Sequence, residues 1–186
     1  MMFDWLITYS GYLIIGYCCF GLVTPLMVLR KKYKLQTISQ IGSLPVYGWL
    51  VNTGLLLVGF LQLLFVQFIY EKYGLQNELG RVVFVLGVTS LFLSGLINVK
   101  RSEKLHLFFA KVYFMAITIG ALLISLGVYQ IFPKHGLILL LIIVVKALSV
   151  LVVGQIKKNL LVAETLGIVF SAIWALVIYF PLGVFN

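Results

Sequence analysis

Apolar residues in this chain fall into six long runs separated by short polar segments. A helix needs about 20 apolar residues to cross a hydrocarbon core about 30 Å thick. Lipid offers no partner to an unpaired backbone group, so runs of this kind predict membrane-spanning helices. The predicted helices are Trp5–Leu29, Tyr47–Tyr70, Val82–Val99, Leu105–Ile131, Leu137–Gly154 and Leu160–Phe185. Because the links are short, the pattern predicts an all-α integral membrane protein, a six-transmembrane-helix antiparallel bundle that forms a single domain over residues 1–186.

The amino-acid composition excludes several other classes of protein. Hydrophobic residues make up 62% of the 186 residues and charged residues only 10%, whereas a soluble domain carries about 25% charged residues. This excludes an ordinary soluble enzyme. The net charge of +9 does not indicate a nucleic-acid partner, because the cations sit in short links between apolar runs. The N-terminus lacks the cationic segment of a secretory signal, so we expect the first run to be retained as a helix.

The distribution of cations predicts the orientation. Nine lysines and arginines fall in the first, third and fifth links, namely Arg30, Lys31, Lys32, Lys34, Lys100, Arg101, Lys104, Lys157 and Lys158. The second and fourth links hold three, Lys72, Arg81 and Lys134. Links rich in lysine and arginine stay in the cytoplasm, so the odd links are predicted to be cytoplasmic and both termini outside. The lysine- and isoleucine-rich usage suggests a multi-pass protein of a bacterial plasma membrane.

Two charged residues lie inside the apolar runs. Lys146 is near the middle of the fifth run, and Glu164 follows the cytoplasmic start of the sixth. Two interpretations stay open. In one, Lys146 forms a structural ion pair with Glu164 or extends its ammonium toward water. In the other, these residues form a charged ligand-binding or coupling site in a water-filled cavity.

Uncharged polar residues also recur within the membrane. Asn52 and Gln62 share one face of the second helix with Gly48 and Gly59. Small and polar residues at this spacing commonly hold membrane helices together. The alternative is that they line a polar pocket at the centre of the bundle.

A second group of candidates lies at the predicted cytoplasmic face. The first link contains Ser39 and Ser43, and the third contains Glu103 and His106. Since both links lie on one face, His106 is expected to face the two serines and Asn52. A general base needs a nucleophile and an orienting partner, so His106 with Ser39 or Ser43, oriented by Glu103, is a candidate catalytic group. The alternative is that His106 caps a helix or packs at an interface.

Several short motifs in this region resemble a known family. They are Ile38-Ser39-x-x-Gly42-Ser43-x-Pro45, then Asn52-x-Gly54-Leu55 with Gly59, then Gly95-Leu96-Ile97, and Leu105-His106-x-x-Phe109-Ala110. Together they resemble the prokaryotic six-helix family called domain of unknown function 998, which is grouped with the eukaryotic Frag/DRAM/Sfk membrane proteins. The resemblance covers roughly residues 30 to 130. This chain departs from the family pattern at Gln40, where an acidic residue is usual, and at Asn98-Val99, where Phe-Pro is usual.

The resemblance implies the same six-helix fold. It says little about activity, beyond the association of eukaryotic relatives with lipid remodelling and autophagy. The two departures count against an acid-dependent or metal-dependent chemistry. The chain also offers only two distant histidines, His106 and His135, and the adjacent Cys18 and Cys19. A zinc site needs three or four ligands, so we expect no metal and no cofactor.

The leading hypothesis is a non-enzymatic membrane protein that binds a lipid or small amphiphile in a polar pocket, with membrane lipids as partners. A ring of basic residues at the cytoplasmic face suits anionic headgroups. The candidate ligand-binding residues are Ser39, Ser43, Asn52, Gln62, His106, Lys146 and Glu164. One alternative is a lipid-modifying hydrolase or acyltransferase that uses His106. Another is a small transporter that uses Lys146 and Glu164, for which a homo-oligomer or a central cavity would be needed.

The predicted orientation is testable with topology reporters. A reporter fused after Lys34 is expected to report the cytoplasm, and one fused after Asn77 the outside, because the first link carries four cations. The measurement is the activity, at each fusion site, of two reporters, one active only in the cytoplasm and the other only outside the membrane. An outside signal after Lys34 would invert the topology.

Overall fold

Six α-helices make up most of the chain that the structure, a computed structural model, describes: residues 2–23, 28–29, 33, 38–44, 47–97, 102–156 and 159–180. The helices are α1 (Met2–Tyr17), α2 (Gly48–Tyr73), α3 (Glu78–Leu96), α4 (Glu103–Ile131), α5 (Pro133–Leu151) and α6 (Leu160–Tyr179). Helices α1 and α5 continue as the π-helical segments Cys18–Val23 and Val152–Ile156, and a short 3-10 helix spans Ile38–Ser43. All the regular secondary structure in these ranges is helical.

The prediction of six helices long and apolar enough to span a membrane is confirmed over the described ranges. Counted with the π-helical segments of α1 and α5, each helix contains an apolar span of 19 to 29 residues, with a mean hydropathy of 1.4 to 3.0. Spans of this length suit the thickness of a bilayer core. The orientation remains a prediction, because most of its cations lie outside the described residues. These are Arg30, Lys31, Lys32, Lys34, Lys100, Arg101, Lys157 and Lys158.

The starts of α3 and α4 differ from the predicted boundaries because polar caps lie outside the apolar runs. The Asn77 side chain accepts a hydrogen bond from the Leu79 N–H at 3.0 Å, so α3 begins four residues before the predicted Val82. Ser102 caps α4 in the same way, and that helix begins two residues before the predicted Leu105. Asn159 caps α6, which begins at the predicted Leu160. These side chains satisfy backbone donors that have no partner within the helix.

Prolines and a glycine fix three further helix ends. Pro133 occupies the first turn of α5, where its fixed φ is favourable and no N–H is needed. Helix α2 ends at Gly74, whose φ of 62° lies in the left-handed region that favours glycine. Helix α6 stops at Tyr179, short of the predicted Phe185, because Phe180 is extended, as a residue before a proline must be.

The six helices form a closed ring. Each packs against the next in sequence, and α6 closes the ring against α1. Contacts at two glycines also show the relative direction of neighbouring helices. Gly80 of α3 lies against Ile124 of α4, and Gly87 lies against Ile117. Residue numbers rise along one helix as they fall along the other, so α3 and α4 are antiparallel.

Glycines allow the closest helix contacts. A Cβ on Gly120 would lie 2.9 Å from backbone atoms of Phe84 in α3. A Cβ on Gly136 in α5 would lie 2.2 Å from the Cα of Tyr129 in α4. Lipid tails are as apolar as the side chains, so close van der Waals packing, rather than the hydrophobic effect, holds such helices together.

Buried apolar side chains form two clusters toward the two ends of the ring. The larger cluster lies where α2, α4 and α6 end, and includes Phe65, Ile69, Ile124 and Ile178. The smaller cluster lies at the opposite end and consists of Leu22, Leu29, Ile41, Val51 and Leu161. The space between them is the interior of the ring.

The contact at Gly136 should be sensitive to one added carbon. Gly136→Ala is expected to lower the free energy of unfolding by about 1–3 kcal/mol, because the methyl group would have to displace the α4 backbone. Thermal unfolding of the purified protein in detergent measures the effect as a lower Tm.

The matched control is Gly16→Ala, since nothing lies within 4 Å of a Cβ built there. That change should leave Tm unchanged or raise it, because alanine favours a helix over glycine. Equal Tm values for the two variants would contradict the close contact between α4 and α5.

Candidate functional site

A cavity of about 140 Å³ lies inside the ring. Its wall is mostly apolar, and all six helices contribute to it, for example through Ile15, Leu55, Leu91, Phe114, Ile143 and Ile168. An engineered cavity of about 150 Å³ is large enough for benzene. The interior therefore has room for a small organic molecule, without any need for the helices to separate.

A few polar side chains interrupt this apolar wall. They are Cys18, Gln62, Ser94, Tyr113, Lys146, Glu164 and Ser171. Three of the predicted ligand-binding residues, Gln62, Lys146 and Glu164, thus lie on one cavity although they belong to three different helices. Asn52, Ser43 and His106 do not line it.

Lys146 is the most deeply buried charge of the cavity wall. Only 3% of its surface is exposed, and it has no hydrogen-bond or ion-pair partner among the described residues. An ammonium group taken out of water is costly unless an opposite charge or hydrogen-bond acceptors compensate for it. Lys146 therefore faces a cavity in which no described group balances its charge.

The structure does not form the predicted ion pair between Lys146 and Glu164. Gly154 lies against Ala163, and Gly167 lies against Val150. This register sets Glu164 level with residue 153 of the preceding segment, seven residues from Lys146. At a rise of 1.5 Å per residue, the backbone positions of the two residues lie about 10 Å apart along the bundle. Glu164 is half-buried, and its carboxylate is not the partner of Lys146.

Gln62 makes one hydrogen bond in the interior and leaves one group without a partner. Its Nε2 donates to the Tyr113 hydroxyl at 2.8 Å, while its Oε1 is buried with no hydrogen-bond partner in the described part of the chain. The hydroxyl hydrogen of Tyr113 remains available as a donor. A buried acceptor without a partner costs about 1–3 kcal/mol, which favours the presence of a further molecule beside it.

Sequence reasoning missed Tyr113. Tyrosines in membrane helices concentrate at the two interfaces, whereas Tyr113 lies well inside an apolar run, ten residues after α4 begins. That unusual depth was the available signal. The depth of Tyr113 could be interpreted only after the fold had placed the Gln62 side chain next to its hydroxyl.

His106 caps the C-terminus of α3. Its Nδ1 lies 3.0 Å from the carbonyl oxygens of Ser94 and Ile97. Carbonyl oxygens only accept hydrogen bonds, so Nδ1 carries a proton, while Nε2 is buried with no hydrogen-bond partner in the described part of the chain. These carbonyls lie at the C-terminal end of α3, where carbonyl oxygens lack the intrahelical N–H partners of the helix interior. The geometry matches the capping alternative for this histidine.

The predicted catalytic partners do not converge on His106. Glu103 is exposed and forms no hydrogen bond with it, and the Ser43 hydroxyl donates to the Gln40 carbonyl at 2.7 Å. Ser39 lies in the 3-10 helix, and its side chain falls outside the described residues. Asn52 Nδ2 donates to the Gly42 carbonyl at 3.5 Å and so ties the 3-10 helix to α2. Among the described members of this group, namely Glu103, Ser43 and His106, no catalytic arrangement is assembled.

Metal-ligating side chains are scattered in the same way. In the part of the chain that the structure describes, no three His, Cys, Asp or Glu residues lie close enough together to hold a metal ion. His135, the second histidine, contacts the Tyr73 hydroxyl through Nε2 at 2.7 Å. It lies near the start of α5, at the end of the ring opposite to His106.

The family comparison covers the whole of this interior. A family model described as a protein of unknown function (DUF998) matches residues 14–181. The chain belongs to the DUF998 family. In this DUF998 protein every residue that lines the cavity, from Ile14 to Ala175, lies within the matched region. No curated protein and no solved structure gives a significant match. The family description names no activity, so the function of this DUF998 protein is argued from the cavity.

Removal of the His106 cap should destabilise the protein. His106→Ala is expected to lower the free energy of unfolding by about 1–3 kcal/mol, because it leaves buried carbonyl oxygens without a donor. Thermal unfolding in detergent measures the change. Glu103→Gln, at an exposed position three residues earlier, serves as the control and should leave Tm unchanged. A His106→Ala protein as stable as the wild type would show that the cap contributes nothing.

Proposed function

We propose that this protein is a non-enzymatic, multi-pass protein of the plasma membrane that binds a small amphiphile in the cavity between its six helices. The observation that carries the proposal is the cavity itself, which is mostly apolar but has an unpartnered Lys146 and an unpartnered Gln62 Oε1 on its wall. Binding sites for small molecules are typically apolar pockets with a few converging polar groups.

The volume favours a small ligand over a whole lipid. A cavity of about 140 Å³ is well below the 300–1,000 Å³ typical of sites for drug-sized ligands. A lipid could place only one end of its structure inside the ring. Membrane lipids remain the expected surroundings of the protein, and a lipid fragment remains one form that the amphiphile can take.

The arrangement at His106 does not favour the alternative of a hydrolase or acyltransferase. The histidine uses its proton to cap α3, and neither Ser43 nor Glu103 is hydrogen-bonded to it. The transporter alternative shares the cavity with our proposal. It additionally needs the apolar clusters at the two ends of the ring to open in turn.

A variant that fills the cavity tests the proposal. Gly167 lines the cavity, and a Cβ added there would meet its neighbours no closer than 3.7 Å. Gly167→Leu is therefore expected to place four carbons inside the cavity without displacing the backbone. Protein reconstituted in nanodiscs should then lose most of the small molecules that co-purify with it, as measured by solvent extraction and mass spectrometry.

Gly16→Leu is the matched control, because it adds the same side chain where nothing lies within 4 Å. It should retain the wild-type set of co-purifying molecules. Gly167→Leu should also unfold at a higher temperature than the wild type, since filling an apolar void adds buried surface. Identical co-purifying molecules in the two variants, together with the higher Tm, would contradict ligand binding in the cavity.

A further inference from the structure

The charge of Lys146 carries information about the ligand. The residue is buried to all but 3% of its surface and lines the cavity. Glu164 does not balance its charge. The backbone position of Glu164 lies about 10 Å away along the bundle, as calculated from the helical rise. A buried cation without a counter-charge is strongly disfavoured. A charged Lys146 therefore needs a balancing charge from outside the described part of this chain.

We infer that the cavity binds a small organic monocarboxylate, whose carboxylate pairs with Lys146 and whose compact apolar body occupies the rest of the space. This inference rests on the proposed function, since it names the chemical class of the amphiphile. It goes further in fixing the sign and the number of the ligand's charges.

The number of charges follows from the cavity wall. Among the residues that the structure describes, the lining contains one lysine, no arginine and one carboxylate, Glu164. A phosphate dianion is usually held by several cationic donors or by the fork of an arginine. A single ammonium with three N–H donors balances one negative charge and suits the two oxygens of a carboxylate.

The size and the apolar body follow from the remaining wall. The cavity volume of about 140 Å³ is close to that of an engineered cavity that binds benzene. Ile143, one turn from Lys146 on the same helix, also lines the cavity, and the flanking helices contribute apolar residues such as Phe114 and Ile168. A benzene ring with one carboxylate has this combination of volume, apolar surface and charge.

The experiment compares two probes of nearly equal shape on full-length protein in nanodiscs. Radiolabelled benzoate carries the charge, and radiolabelled benzyl alcohol replaces the carboxylate with a neutral group. Equilibrium dialysis gives the Kd of each probe for the wild type, for Lys146→Met and for Lys111→Met. Methionine is unbranched and apolar, and Lys111 is an exposed cation of α4 that does not line the cavity.

Lys146→Met is expected to raise the Kd of benzoate roughly tenfold or more, which corresponds to the loss of one charge-assisted contact. The Kd of benzyl alcohol should stay within about twofold, a difference well below one tenfold step. Lys111→Met should bind both probes as the wild type does. Lys146→Gln provides the same loss of charge in a polar side chain, should Lys146→Met fail to fold.

Each other outcome is equally informative. An unchanged benzoate affinity in Lys146→Met and Lys146→Gln overturns the monocarboxylate inference, and if benzyl alcohol still binds, the cavity remains a binding site. A wild type that binds neither probe overturns the inference, whereas the proposed function then depends on the separate co-purification test with Gly167→Leu. Unlabelled palmitate distinguishes the sources of the carboxylate. Its displacement of benzoate assigns the carboxylate to a fatty acid, and its failure to do so assigns it to a small soluble acid.

Discussion

Solvation by lipid is the constraint on which the whole structure depends. Hydrocarbon accepts no unpaired backbone group, so each crossing must be a helix that satisfies its own peptide bonds. Large apolar side chains on the outside of the ring, such as Met115 and Leu86, are therefore 64% and 58% exposed without cost in a bilayer. The same lipid removes the hydrophobic effect as a force between helices, and close contacts at glycines such as Gly120 and Gly136 take over that role.

Polar groups accordingly gather inside the ring or at its ends. Most of those inside have a partner on a neighbouring helix, as Trp174 Nε1 has in the Ser125 hydroxyl at 3.0 Å, and as the Gln62 amide has in Tyr113. The exceptions are informative because they are costly. Lys146 and Gln62 both line the cavity. A molecule bound there would supply a counter-charge to Lys146 and a hydrogen-bond donor to Gln62 Oε1.

This contrast separates the two candidate sites that the sequence suggested. At the end of the ring near His106, most polar groups have protein partners and tie helices and the 3-10 segment together, and one uncharged atom, His106 Nε2, is buried with no hydrogen-bond partner in the described chain. In the interior, a charge and an acceptor remain without partners in the described chain. The unbalanced groups favour the interior as the functional site, and the small volume beside them favours a small ligand.

The sequence by itself determined the membrane class, the six helices and the depth of Lys146, because apolar run length and intramembrane charge depend only on the order of residues. The starts of α3 and α4 needed the cap geometry of Asn77 and Ser102. Only the tertiary structure decided which polar groups meet. The absence of a Lys146–Glu164 pair, the Gln62–Tyr113 contact and the His106 cap all depend on the rotation and register of neighbouring helices. Packing at glycines sets these, and a shift of one residue turns a helix by about 100°, so the linear pattern cannot specify them.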